Sequence, residues 1–437
     1  MPILDADHQQ ILGLLTARGL ASSQDLQAAT GKSQPTVSRL MADLASQILV
    51  LGRARATRYG LPKSIHGTGS QKPIHWTHED GSVRRIGTLT LLANDLVHVE
   101  SELVDSVTEG ALPWYLSPLQ AQGFLGRLLA QRLQPQGVPS NPEAWSVETT
   151  LFAALHLHDP AGAITLGEPA AAAQHLPLPL APARLAAALD ALAVDVARTL
   201  PAGSSAGGEQ PKFLSLLENG QHVLVKFTPP KGTPFGDRWS DLLHAEALAS
   251  SVLARHGVPV AATHVVDSGA RSYLISERFD RVGERGRRHA VSVGSAHHAF
   301  VADSYANWGA TCEALAQQRR LSKEDAARAV ALLQFGRLIG NSDMHSGNLA
   351  LMVRPEDLSR PRFSLAPVYD MLPMRWRPDP MLGGAPDYTA FEPDAISAGS
   401  AAAVPAHEFW AELAAHDRVS RGLRAVAREM SERIAPR

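Results

Sequence analysis

The chain has 437 residues, of which 45% are hydrophobic and 19% are charged, and its formal net charge at pH 7 is −2. The composition is that of a globular protein, and the length predicts roughly two to four domains, since a single hydrophobic core does not grow this large. A net charge near zero requires no polyanionic partner, so a nucleic-acid contact would need a local basic patch. The single cysteine, Cys312, excludes a disulfide framework and a cysteine-based zinc site.

The acidic start of the chain lacks the basic and apolar regions of a signal peptide. The alanine-rich region 151–200 is interrupted by histidines, an aspartate and prolines, and no apolar run reaches the roughly 18 residues that a membrane-spanning helix needs. We therefore expect a cytoplasmic protein with no membrane partner.

Residues 5–62 predict a small helical unit that is closed by a basic hairpin at 48–60. Apolar residues spaced i, i+3, i+4 and i+7 predict an amphipathic third helix, and they are Val37, Leu40, Met41 and Leu44. Ser33 stands at the N-cap position of this helix, and Pro35 lies in its first turn, where a missing N–H is tolerated. The glycine- and serine-rich residues 63–73 then predict a flexible linker.

Two helices, a turn, an amphipathic third helix and a hairpin are typical of a winged helix-turn-helix domain. The polar face of the third helix carries side chains that suit base edges and phosphates: Gln34, Thr36, Ser38 and Arg39. Three hairpin arginines would reach backbone phosphates: Arg53, Arg55 and Arg58. We predict that residues 1–66 bind DNA. The alternative is a three-helix protein-interaction module with a solvated basic face.

Residues 203–212, Gly-Ser-Ser-Ala-Gly-Gly-Glu-Gln-Pro-Lys, begin a region with the residue types of phosphoryl transfer. Small residues before a strand let backbone N–H groups approach phosphates closely, which makes Ser205 and Ala206 candidates for ATP contacts. The segment does not have the Walker A pattern, and alone it is equally typical of a flexible turn.

The short apolar run 223–227 contains one lysine, Lys226, and is similar to the kinase strand that places an ammonium on the nucleotide phosphates. A helix beginning at Ser240 is predicted to follow, and its Glu246 is placed to pair with Lys226.

A polar loop at 340–348 separates Asp343 and Asn348 by five residues, which is the Asp-x-x-x-x-Asn spacing of a kinase catalytic loop. At this spacing the carboxylate can accept the proton of an attacking hydroxyl while the amide oxygen reaches a metal ion. Asp370 follows a second strand-like run, where kinases place a metal-binding aspartate.

These motifs, together with residues 277–281 (Glu-Arg-Phe-Asp-Arg), resemble the HipA family of serine/threonine kinases over roughly residues 75–437. The resemblance implies a kinase-like fold with a β-rich N-lobe and a helical C-lobe, ATP and Mg²⁺ as cofactors, and a protein substrate, which in known members is an aminoacyl-tRNA synthetase. It implies a toxin of a toxin–antitoxin system that stalls translation.

The resemblance also implies site roles, residue by residue. Lys226 would contact the ATP phosphates, and His345 would lie near them. Glu277 and Phe279 would hold adenine through hinge backbone groups, with Asp280 near the ribose. The catalytic base would be Asp343, the Mg²⁺ ligands Asn348 and Asp370, and the site of inhibitory autophosphorylation Ser205.

HipA kinases usually pair with a separate helix-turn-helix antitoxin, whereas here that domain is fused to the kinase, as in the YjjJ-type branch of the family. A separate antitoxin partner is therefore an open question. We expect an α+β fold in three parts: a winged helix-turn-helix at 1–66, the HipA N-terminal subdomain and kinase N-lobe at 67–280, and the helical C-lobe with the catalytic loop at 281–437. The alternatives are a small-molecule phosphotransferase of the aminoglycoside type and a transcriptional regulator with a ligand-sensing kinase-like domain.

Overall fold

The computed structural model of the chain describes residues 5–168, 179–199, 210–379 and 384–434, which form a mixed α/β fold. The helices in these ranges are α1 (Ala6–Arg18), α2 (Ser23–Thr30), α3 (Gln34–Asp43), α4 (Gly123–Leu133), α5 (Val147–Ala154), α6 (Leu185–Thr199), α7 (Pro234–Arg255), α8 (Val293–Phe300), α9 (Trp308–Gln317), α10 (Lys323–Leu338), α11 (Ala395–Ala398), α12 (Ala403–Ala415) and α13 (Arg421–Arg433). Across these ranges, no helix combines the length and the apolar character needed to cross a membrane.

The strands pair antiparallel throughout the sheets. They are β1 (Leu20–Ser22), β2 (Leu49–Leu51), β3 (Arg58–Gly60), β4 (Gln71–Thr77), β5 (Val83–Leu92), β6 (Leu96–Ser101), β7 (Asp105–Glu109), β8 (Ile164–Leu166), β9 (Lys212–Leu216), β10 (His222–Phe227), β11 (Thr263–Asp267), β12 (Ser272–Glu277), β13 (Arg281–Val282), β14 (Gly286–Arg287), β15 (His289–Ser292), β16 (Ala350–Val353) and β17 (Ser364–Leu365).

The N-terminal unit, residues 5–60, contains α1 to α3 and a small sheet of strand order β1-β3-β2. A capping box begins α2, because the Ser22 hydroxyl accepts the Asp25 N–H at 3.1 Å and the Asp25 carboxylate accepts the Ser22 N–H at 2.8 Å. Gly31 ends the helix in the left-handed conformation. The predicted third helix and hairpin are present, and β1 adds a strand that the sequence pattern did not indicate.

The segment after this unit is packed, so the expected flexible linker at 63–73 is wrong. The Ala93 N–H donates to the Leu61 carbonyl at 2.8 Å, and the Lys63 N–H donates to the Leu91 carbonyl at 2.9 Å. Ile65 is fully buried in the main core. The small residues of this segment allow a tight turn, in which the Ile65 N–H donates to the Gly69 carbonyl at 3.0 Å, and other backbone hydrogen bonds of the segment are made with the end of β5.

The main core is shared by the five-stranded sheet, of order β7-β6-β5-β4-β8, and the carboxyl-terminal helices. Leu89 and Leu151 from the first part of the chain belong to one buried cluster with Trp308, Leu332 and Trp410 from the second. The five-stranded sheet is therefore packed into the same apolar interior as the helical region.

A four-stranded sheet of order β11-β12-β10-β9 positions the lysine of the candidate site. Val223, Val225 and Phe227 of β10 pack into a small core with α6, and Lys226 points to the opposite face because side chains alternate along a strand. The partner helix α7 begins at Pro234 instead of Ser240, since the Thr233 hydroxyl caps it by accepting the Gly236 N–H at 3.0 Å.

Candidate active site

A cleft of about 1150 Å³ lies between the four-stranded sheet, α4 and the carboxyl-terminal region. Its lining includes most of the residues that the sequence motifs indicated in this part of the chain: Lys226, Glu246, Glu277, Phe279, Asp280 and Asp370. The predicted phosphate loop with Ser205 and Ala206 lies outside the described residues.

The centre of the cleft is a buried ammonium with two carboxylates. Lys226 is 5% exposed, and its Nζ donates to Glu246 Oε1 at 2.7 Å and Oε2 at 2.8 Å. The same Nζ contacts the carboxylate of Asp370. The Lys226–Glu246 pair expected from the sequence is therefore formed, and it holds the lysine at the junction of β10 and α7.

The charges of this centre perturb all three groups. Burial opposes the charged form of Lys226, but Asp370 and Glu246 outweigh it and raise the pKa of the ammonium. Burial would raise the pKa of Asp370, yet the attraction of Lys226 lowers it. Burial and repulsion from Asp370 raise the pKa of Glu246. In direct contact, two carboxylates face one ammonium, and Lys212 interacts electrostatically with both carboxylates.

The catalytic-loop candidates form a turn held by its own side chains. Asn348 Nδ2 donates to the Asp343 carbonyl at 2.8 Å, which is the contact that the five-residue spacing allows. The Asn348 N–H also donates to the His345 carbonyl at 3.0 Å. Asp343 is partly exposed and His345 is exposed, so both side chains are accessible to a ligand.

Three residues that support this loop were not assigned a role from the sequence. Trp308 Nε1 donates to the His345 carbonyl at 2.8 Å, and the Tyr369 hydroxyl donates to the Gly347 carbonyl at 2.9 Å. Tyr369 also stacks on Phe279, with ring centroids 5.6 Å apart, and burial raises the pKa of its hydroxyl. The third residue, Asn341, is buried and contacts the backbones of both Asp343 and Asp370. Tyr369 adjoins the Asp370 motif, whereas no local pattern points to Trp308.

The hinge segment, residues 277–281, runs along the cleft after β12. The Glu277 N–H donates to the Ala262 carbonyl at 2.9 Å, and Phe279 lies half-buried beside Tyr369. Asp280 is 7% exposed, and its carboxylate accepts from Arg278 at 2.9 Å and from the Gly162 N–H at 2.8 Å. The expected ribose contact of Asp280 stays a prediction, and such a contact would have to share these oxygens.

The hinge segment is joined to the middle of the chain by a buried ion cluster, which we define as Asp159, Arg278, Asp280, Arg281 and Arg287. Asp159, from the loop before β8, pairs with Arg278 and Arg281. Burial would raise the pKa of Asp159, but these two arginines lower it to about 2. The two arginines of the Glu-Arg-Phe-Asp-Arg motif are therefore used to attach the hinge segment to the five-stranded sheet.

The candidate DNA-contacting residues lie in α3 and in the hairpin of β2 and β3. Val37, Leu40 and Met41 of α3 are buried. The exposed candidates are Gln34, Ser38, Arg39, Arg53 and Arg58. Thr36 is half-buried, and the side chain of Arg55 lies outside the described part of the structure.

Known proteins resemble this chain in its domains. Residues 204–435 match the HipA-like C-terminal domain family, and residues 68–175 match the YjjJ-like toxin middle domain. The structure of Shewanella oneidensis MR-1 HipA, from a complex with HipB and operator DNA, is 18% identical, covers 83% of this chain and 88% of its own, and has a TM-score of 0.49. The Helicobacter pylori proinflammatory kinase CtkA is 14% identical and covers 52% of this chain and 88% of its own, with a TM-score of 0.35.

The domain matches define the class as a HipA-type protein with a YjjJ-like middle domain. Toxin YjjJ of Escherichia coli (strain K12) is 34% identical over an alignment of 434 residues that covers 96% of this chain and 96% of its own. The chain belongs to the HipA family and, within it, to the group of YjjJ-like toxins.

Proposed function

We propose that this protein is a Mg²⁺- and ATP-dependent serine/threonine protein kinase that acts as the toxin of a toxin–antitoxin system. The observation that carries the proposal is the position of Lys226, which is buried between Glu246 and Asp370 on the wall of the cleft. Phosphoryl transfer depends on positioning and on charge stabilisation, and this centre offers both.

The polar groups that the sequence indicated have roles in this proposal; some line the cleft, and others belong to the catalytic loop, whose Gly347 lines it. Lys226 binds the phosphates, and His345 lies beside them. Asp343 accepts the proton of the attacking hydroxyl. Asn348 and Asp370 would hold Mg²⁺, whose charge offsets that of the phosphates, and their carboxylate and amide oxygens are hard ligands that fit this ion. The hinge segment would hold the nucleoside, with Glu277 and Phe279 at adenine and Asp280 near the ribose.

The test of this proposal is incubation of the purified chain with labelled ATP and Mg²⁺. Asp343→Asn should reduce transfer about 10²- to 10⁴-fold, because it removes the base and keeps the side-chain shape. Asp370→Asn should abolish transfer through loss of the metal ligand. Asp303→Asn is the matched control, since Asp303 is an exposed aspartate for which no ion pair is found among the described residues. Undiminished transfer in both active-site variants would contradict the kinase proposal.

The acceptor separates the protein-kinase proposal from a small-molecule phosphotransferase. The family resemblance supports a protein hydroxyl, with an aminoacyl-tRNA synthetase as the first candidate substrate. Mass spectrometry of a cell extract after the same incubation should find new phosphoserine or phosphothreonine. Phosphate appearing only on small molecules would favour the aminoglycoside-type alternative.

We also propose that the N-terminal unit is a winged helix-turn-helix that binds DNA. The supporting observation is that five of the candidate side chains are exposed on the same small unit: Gln34, Ser38, Arg39, Arg53 and Arg58. In the full chain, Arg39→Ala should cost about 1–3 kcal/mol at a specific site. The double variant Arg53→Ala, Arg58→Ala should weaken binding to all sequences and flatten the salt dependence. Gel-shift titration at two salt concentrations measures both effects.

The gel-shift result also bears on whether the N-terminal unit acts in place of a separate antitoxin. If the full chain binds no DNA at low salt, the N-terminal unit is an interaction module, and its role is that of a built-in, antitoxin-like brake on the kinase. Transfer rates of a chain shortened to begin at residue 61 would then exceed those of the full chain.

Regulation by autophosphorylation is the last part of the proposal. A phosphate on Ser205 would bring about two negative charges to a loop that must approach ATP phosphates, and like-charge repulsion would lower nucleotide affinity. Mass spectrometry after incubation with ATP should find phosphate on Ser205 or the adjacent Ser204. Phosphate found only elsewhere in the chain would remove this mechanism.

A further inference from the structure

Asn341 is a buried amide that joins the catalytic loop to the segment of Asp370. Its side-chain oxygen accepts the Asp343 N–H at 3.0 Å. Its Nδ2 donates to the Asp370 carbonyl at 3.3 Å and contacts Met371 Sδ at 3.6 Å. The residue is 5% exposed, so these contacts are shielded from water.

The orientation of this amide is determined by its neighbours. The Asp343 N–H requires an acceptor and the Asp370 carbonyl requires a donor, so exchanging the oxygen and nitrogen of Asn341 would break both hydrogen bonds. A carboxylate at 341 would place an oxygen against the carbonyl, and a serine hydroxyl is too short to reach both groups. The position therefore requires a side chain with one donor end and one acceptor end.

Asp370 itself needs this support. Its φ of 56° is in the left-handed region, which costs an L-residue on the order of 1 kcal/mol. Fixing its carbonyl through Asn341 stabilises that conformation, and the carboxylate then lies at Lys226. The neighbouring Tyr369 makes a second link to the loop through Gly347. Two side chains thus join the same two segments, and Asn341 is the one that reaches the backbone of Asp370.

We infer that Asn341 is a positioning residue that sets the proton-accepting Asp343 and the metal-binding Asp370 in a common geometry. It acts through the backbone of both residues and does not contact the substrate. This inference rests on the proposed kinase function, since it assigns Asn341 to the same reaction.

Two substitutions and one matched control test the inference. Asn341→Asp keeps the acceptor for the Asp343 N–H and removes the donor to Asp370. Asn341→Leu removes both hydrogen bonds without adding charge. Asn141→Asp makes the same chemical change in a turn remote from the loop, where the Asn141 side-chain oxygen accepts the Glu143 N–H at 3.1 Å.

The measurements are the rate of transfer from labelled ATP as a function of Mg²⁺ concentration, and the binding of a fluorescent ADP analogue in EDTA. Both Asn341 variants should show kcat lowered, or the half-saturating Mg²⁺ concentration raised, by about 10- to 100-fold, as is typical for residues that orient metal ligands. Binding of the analogue in EDTA should stay unchanged, which also shows that the variants fold. Asn141→Asp should behave as the wild type.

The inference is wrong if Asn341→Asp keeps the wild-type kcat and Mg²⁺ dependence. It is equally wrong if analogue binding in EDTA is lost together with activity, because Asn341 would then be purely structural. If the wild type transfers no phosphate at all, the kinase proposal fails separately. In that case the inference is tested by the increase in affinity for the ADP analogue when Mg²⁺ is added. Asn341→Asp should reduce this increase, and Asn141→Asp should leave it unchanged.

Discussion

Replacement of Asp159 by asparagine tests whether the ion cluster holds the hinge segment in place. The Asp159 carboxylate pairs with Arg278 and Arg281, and its side chain is 23% exposed. The substitution would keep the shape of the side chain and present an amide to two guanidinium groups. We expect a less stable chain and weaker binding of an ATP analogue, because the hinge segment lines the nucleotide cleft.

The magnitude follows from the pKa of the carboxylate. Burial alone would raise it, but the arginines lower it from 3.8 to about 2, which corresponds to roughly 2 kcal/mol of stabilisation by the charged form. Because the pKa is lower in the folded chain, this stabilisation is complete above about pH 4 and is lost as the pH falls through about 2. Asp159→Asn should therefore lose roughly 2 kcal/mol near neutral pH, and the deficit should shrink below about pH 4.

Urea unfolding of the wild type and the variant, at neutral pH and at steps between about pH 4 and pH 3, measures this difference. Asp303→Asn serves as the control, since the same change at an exposed aspartate should leave the free energy of unfolding unaltered. A variant as stable as the control at neutral pH would refute the reasoning. A deficit that does not change as the pH falls would show that packing, and not charge, accounts for it.

Two further substitutions examine the cleft and the attachment of the N-terminal unit. Lys226→Met leaves two buried carboxylates without their ammonium, so binding of the fluorescent ADP analogue and phosphoryl transfer should both be lost, and retained binding would contradict the role of this lysine. Gly19→Ala would place a Cβ 2.3 Å from Leu96 Cδ1 and should destabilise the attachment by about 1–3 kcal/mol, seen as faster limited proteolysis near residues 61–65. The control is Gly31→Ala, because Gly31 has a similar φ and its added Cβ would have no atom within 4 Å. Equal effects of the two substitutions would mean that backbone strain, and not the contact with Leu96, is responsible.

Local patterns in the sequence determined much of the secondary structure. Ser322 begins α10 by accepting the Asp325 N–H at 3.0 Å, and the Ser-x-x-Asp pattern behind this cap is present in the sequence. The buried face of α3 and the hairpin after it also follow from residues a few positions apart. The Asp343–Asn348 spacing predicted a polar loop, and the structure adds a hydrogen bond within it from Asn348 Nδ2 to the Asp343 carbonyl. Such signals can be read in a single chain because the interacting groups are close in sequence.

Other features were decided by tertiary structure. The carboxylates around Lys226 come from positions 20 and 144 residues away. The sequence indicated the pairing of Lys226 with Glu246, whereas the contact of Asp370 with the same ammonium was decided by the fold. Asp159 lies 119 residues before Arg278, and before the fold was known it was only a break in an alanine-rich region. The prediction of a flexible linker at 63–73 was wrong. The composition of this segment predicts turns, but it does not show that the segment forms hydrogen bonds with β5 in the five-stranded sheet. Contacts of this kind depend on how distant segments are brought together. Periodicity and capping patterns involve residues only a few positions apart, so they cannot predict such contacts.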